Sequence, residues 1–247
     1  MSNTYKSQGK KGLFDEQFAV SHLSEMGNPI ESISKVVDFE MFRAILESRL
    51  LNTTKKNNAG AKPFDVVMMF KIMILQRYYN LGDKQVEYQI VDRVSFKKFL
   101  GLETGDKVPD EKTIWAFRGR LTQTASVEEL FELFVSHLEQ KCLIFNEGQI
   151  IDASFMEIPR QRNTREENKM INRVHEKGRK NKPMTDEQKS NNTLKSKIRV
   201  RVEHVFGFME QSMNCMYIWS VGMPRATATI GLINLTYNIF RYEQLTR

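Results

Sequence analysis

The sequence predicts a mainly α-helical protein, on three observations. Between residues 38 and 142, apolar side chains recur at three- and four-residue spacing behind residues suited to starting helices. One run alone, Gly148–Met156, has clear strand character. The tract after it, Pro159–Thr193, holds few clearly apolar residues beyond Met170, Ile171, Val174 and Met184.

Residues 1–37 mix Lys, Ser, Gly and Asn with scattered apolar residues and read as a flexible arm. Asp38 can cap a helix whose apolar face is Phe39, Phe42, Ile45, Leu46 and Leu50. The Asn- and Lys-rich run Asn52–Lys62 is a loop. Pro63 precedes a second helix, Asp65–Asn80, with a broad apolar face. Asn80–Asp83 is a turn, and Lys84–Leu100 makes one or two short helices ending near Gly101. Pro109 and Asp110 start a helix carrying Ile114, Trp115, Phe117 and Leu121. Ser126-Val127-Glu128-Glu129 reads as a capping box opening a helix to about Cys142. This pattern suits a helix-turn-helix-like DNA-binding module over 38–145, and equally a small bundle with no DNA role.

Beyond the strand, Thr185-Asp186-Glu187-Gln188 is a second capping box. It starts a helix predicted to run to Met213, with Leu194, Ile198, Val202, Val205 and Met209 as its apolar stripe. Arg225–Leu245 is a last helix, apolar on most sides and therefore expected to be buried.

Charge is concentrated in one place. Arg160–Arg201 carries 14 Lys and Arg against 5 Asp and Glu, a local +9, so with +7 overall the remainder of the chain is −2. Such a tract favours an acidic partner, most simply nucleic acid. The two cysteines, Cys142 and Cys215, match no zinc spacing and read as thiols in a reducing compartment. The basic N-terminus has no apolar segment behind it, and the apolar run Val66–Leu75 is interrupted by Lys71 and too short to span a bilayer. A cytoplasmic protein, associated with the nucleoid and not with a membrane, is expected.

Two acids stand out. Asp152 sits at the centre of the predicted strand, where a carboxylate is costly unless it is paired, hydrogen-bonded or bound to metal. Glu203 lies among cations in Arg199-Val200-Arg201-Val202-Glu203-His204, one helical turn from Arg199, so an ion pair accounts for it as readily as a metal does.

Ile150-Ile151-Asp152-Ala153-Ser154-Phe155, with Pro159–Asn168 after it, resembles the first catalytic strand and basic loop of DDE transposases in the insertion-sequence-five group. Lys195–Gly207 and Ile230-Gly231-Leu232-Ile233-Asn234-Leu235 resemble that group's C-terminal signatures. Met69-Phe70-Lys71-Ile72, Leu75-Gln76-Arg77, Asp92–Phe96 and Pro109–Trp115 are similar to its helical N-terminal domain. The resemblance implies a helical DNA-binding domain followed by a ribonuclease-H-like α/β domain, here spanning 146–247. That domain would cut DNA ends and join them to a target by means of three carboxylates and two divalent ions, Mg²⁺ or Mn²⁺. Asp152 corresponds to the first catalytic, metal-holding acid and Glu203 to the last. Arg160, Arg162, Arg165, Lys195, Lys197, Arg199 and Arg201 would contact DNA. The partners implied are double-stranded DNA, as terminal inverted repeats and target, together with a second copy or a full-length transposase.

The sequence departs from the family between the two acids. Asp152 and Glu203 are only 51 positions apart, and the residues between them contain no counterpart of the family's second Asp on its strand. A ribonuclease-H sheet needs several further strands of about 5–6 residues with apolar faces, which this tract does not provide. Asp186 belongs to a capping box, where a helix-start role is adequate, and Glu210 stands where related transposases can carry a Lys. The pattern is that of an in-frame internal deletion, giving a truncated catalytic domain. Three outcomes follow: a working transposase, a DNA-binding relative without chemistry that can repress a full-length sibling, or a poorly folded product whose C-terminal helices have lost their sheet.

Overall fold

The computed structural model describes residues 18, 21–22, 24–50, 62–103, 105–143, 185–215, 218 and 222–246; for 194, 195, 197–199, 201 and 202 it describes the backbone. The described residues are mainly helical, and no strand occurs among them. The predicted strand Gly148–Met156 lies outside them, so the ribonuclease-H-like fold remains an implication of the resemblance. The chain divides into two compact units, one formed by Met1–Ile144 with Met213–Arg247, the other by Phe145–Ser212.

The first unit begins inside the segment expected to be a flexible arm. Helix α1, Pro29–Val36, is capped by Asn28, whose Oδ1 accepts from Ile30 N at 3.1 Å, and Pro29 occupies its first turn. Ile30 and Ile33 are buried. Lys98 Nζ reaches Glu31 Oε1 at 3.2 Å, pinning α1 to α5 (Val94–Leu100). The Asn-Pro start signal and this apolar pair correct the arm reading for 29–36, while residues 1–17 lie outside the described residues.

Asp38 does cap the next segment, accepting from Glu40 N at 2.9 Å. That segment opens as a 3-10 turn, Phe39–Phe42, before α2, Arg43–Leu50. Helix α3, Val66–Tyr78, is the centre of the unit. Asp65 caps it through Val67 N and Met68 N, and Arg43 holds the other carboxylate oxygen of Asp65 at 2.7 Å. Ten of its thirteen residues are buried, as suits a helix enclosed by α2, α4, α5, α6 and α9.

Helix α4, Asp83–Asp92, and α5 are separated by Arg93 alone, so Lys84–Leu100 is two helices. Gly101, at φ 75°, ends α5 in the left-handed conformation, with Leu102 N donating to Lys97 O at 2.9 Å. Helix α6, Glu111–Gln123, starts at Asp110, which accepts from Thr113 N at 2.9 Å.

Helix α7, Ser126–Gln140, forms without its expected capping box. Only Thr124 and Ala125 join it to α6, and Ala125 turns the chain at φ 50°. Ser126 therefore enters as the first helical residue, buried, its hydroxyl 2.5 Å from that of Thr124. Glu129, the other half of the expected box, is bound instead by Arg49 of α2 at 3.1 and 2.5 Å.

The chain leaves this unit after α7 and returns to it for α9, Met223–Thr246, which packs on α1, α3, α6 and α7. Leu232, Ile233, Leu235, Ile239, Phe240 and Tyr242 are buried, and Phe240 stacks on Tyr78 with centroids 3.6 Å apart. The C-terminal helix thus finds its apolar partner in the helical unit. Burial on most of its sides matches its sequence, and although the sequence reading groups it with 146–247, its contacts are with α1, α3, α6 and α7.

In the second unit, Thr185 and Gln188 form the predicted capping box, at 3.3 and 3.0 Å, and open α8, Asp186–Gly207. A five-residue π turn, Phe208–Ser212, follows, so regular helix ends six residues before Met213.

Candidate functional site

Of the residues expected to act on DNA or metal, Asp152, Arg160, Arg162 and Arg165 lie outside the described residues. Lys195, Lys197, Arg199, Arg201 and Glu203 all lie on α8. The helix runs unbroken through them because no Gly or Pro interrupts Asp186–Phe206 and its first turn is capped. At about 3.6 residues per turn, positions 195, 199 and 203 follow one another along one side, while 197 and 201 lie about half a turn away. The four cationic positions are therefore divided between two sides of α8, and Glu203 shares a side with only two of them. Glu203 is exposed. Among the described residues no three of His, Cys, Asp and Glu gather where they could hold a metal ion, so no ligand set surrounds Glu203 there.

The helical unit has a polar clamp that the sequence reading missed. Arg118 of α6 grips Asp83 of α4 with two bonds, at 2.5 and 2.7 Å. Gln76 of α3, fully buried, donates to the same carboxylate at 2.8 Å. Burial pushes the Asp83 carboxyl up, but the bonds from Arg118 and Gln76 outweigh it and hold it below the ordinary value. Beside the clamp, burial lowers the Arg77 guanidinium, and Arg118 adds to the effect. Cys215 donates to Arg77 O at 2.8 Å, and burial raises its thiol to about 11, which leaves it protonated and inert at neutral pH.

Lys71, from the Met-Phe-Lys-Ile motif, has a structural role as well. Its ammonium lies 5.2 and 5.4 Å from the ring centroids of Phe39 and Phe99 and donates to Phe99 O at 3.3 Å. Burial lowers its amine from the ordinary value. It satisfies a carbonyl at the end of α5 and covers two aromatic faces.

One surface of the unit leaves apolar side chains in solvent. Helices α4 and α6 run antiparallel, since Glu87 Oε2 accepts from Glu111 N at 2.7 Å while Asp83 meets Arg118. Tyr88 and Val91 on α4 and Trp115 on α6 are exposed at 66, 56 and 58%. A shallow cavity of about 490 Å³ lies between the two helices, lined by Lys84, Glu87, Tyr88, Val91, Asp110, Glu111 and Lys112. Trp115 lies on the predicted helix with Ile114, Phe117 and Leu121 but not on its buried face. Ile114, Phe117 and Leu121, at i, i+3 and i+7, form that face and are buried, which turns the adjacent Trp115 outward. The spacing was legible, and it separates Trp115 from the other three.

Residues 18–120 match the family model of a Transposase domain (DUF772). The match runs from before α1 into α6, and it supports a transposase family and a transposition-related function for the chain. No solved structure matches the chain. No helix among the described residues is long and apolar enough to cross a membrane.

Proposed function

We infer that this chain is a DDE transposase relative of the insertion-sequence-five group, reduced by internal deletion to a DNA-binding protein that does not cut DNA by itself. One observation carries the reading: the transposase-domain match falls on helices that fold as one packed unit, which α9 completes from the far end of the chain. A unit closed in this way does not depend on the middle of the catalytic domain for its core, which favours a folded binding protein over an unfolded remnant. The basic tract Arg160–Arg201, including Arg160, Arg162, Arg165 and the cations of α8, contributes phosphate contacts to inverted-repeat or target DNA. Asp152 and Glu203 are what remains of a three-carboxylate site for Mg²⁺ or Mn²⁺. With the family's second Asp missing, a two-metal site loses a ligand it needs. Occupying the terminal repeats of a full-length transposase would make the protein its repressor.

The test is binding of the full-length chain to DNA of its flanking inverted repeats, titrated over a range of salt, with cleavage assayed in Mg²⁺ or Mn²⁺. Binding that weakens steeply with salt, without nicking or joining, is expected. No binding at low salt refutes the DNA-binding reading. Cleavage that disappears in Asp152→Ala shows that the catalytic site works.

A further inference from the structure

We draw no further inference here: the strongest candidate, the apolar surface patch that Tyr88, Val91 and Trp115 leave in solvent on α4 and α6, carries none, because nothing in the structure shows what covers it.

Discussion

Val127 occupies the space that a side chain at position 231 would need: its Cγ1 lies 2.7 Å from where a Cβ on Gly231 would stand. The glycine of Ile230-Gly231-Leu232-Ile233-Asn234-Leu235 is therefore the point where α9 settles onto α7. Val127 is buried and stiff at χ1, so it has little room to give way. Gly231→Ala should gain about 1 kcal/mol of helix propensity and lose about 1–3 kcal/mol to overpacking, for a net destabilisation seen in urea or thermal unfolding. In a Val127→Ala background the clash is gone, and the same change should become stabilising. A Gly231→Ala effect of the same sign and size in both backgrounds would rule out the contact as its cause.

The burial of α9 predicts how the helical unit responds to truncation. Removing Met213–Arg247 uncovers the apolar surfaces of α1, α3, α6 and α7 that Leu232, Ile233, Leu235, Ile239 and Phe240 cover. A chain ending at residue 212 should bind a hydrophobic dye and aggregate, although it retains every residue of the transposase-domain match. The milder Phe240→Ala, which also removes the stack on Tyr78, should cost about 3–5 kcal/mol in unfolding experiments.

The Asp83–Arg118 clamp predicts an acid limb to stability. Asp83 titrates below its ordinary 3.8 in the folded chain, so its stabilising contribution is present in full above about that pH. It is lost as pH falls from 3.8 through the lower folded value. Asp83→Asn should flatten that part of the stability profile and lower the plateau at neutral pH. Arg118→Ala leaves a largely buried carboxylate with only Gln76 as a partner and should cost about 1–3 kcal/mol at pH 7.

Division of the cationic positions of α8 between two sides predicts unequal effects on DNA binding. Lys195→Ala with Arg199→Ala removes charge from one side of the helix, and Lys197→Ala with Arg201→Ala removes it from the other. A helix lying against a duplex presents one side to it. One double variant should reduce the slope of log affinity against log salt by roughly 2, about 0.9 per phosphate contact, and the other should leave it nearly unchanged. Equal slopes for both variants and the unaltered chain would show that α8 does not contact the backbone.

Much of the helical unit was legible in the sequence because helix starts are local chemistry. Asp38 and Thr185 cap as their spacing from apolar residues predicts, and Asp65 and Asp110, read as helix starts, also cap, each by accepting a nearby backbone N–H. The misreadings arose where a distant partner decided the matter. Glu129 has the spacing of a capping box with Ser126, yet it is drawn to Arg49, eighty residues away in sequence. Pro29–Val36 was read as part of an arm because eight residues with two deeply buried apolar side chains look weak until α5 and α9 cover them. Of the candidate site, the cations and Glu203 were legible as a helix. Trp115 was placed on its helix, and its exposure follows from the spacing of Ile114, Phe117 and Leu121 around it.

The transposase resemblance, the caps and the concentration of positive charge in Arg160–Arg201 were all present in the linear chain, since each depends on residue identity at short spacing. Tertiary structure decided where α9 belongs. Its apolar residues say only that it must be buried, and any large apolar surface would satisfy that demand. The groove over α3 and α7, with a glycine where Val127 comes closest and Tyr78 under Phe240, is what holds this helix in the helical unit.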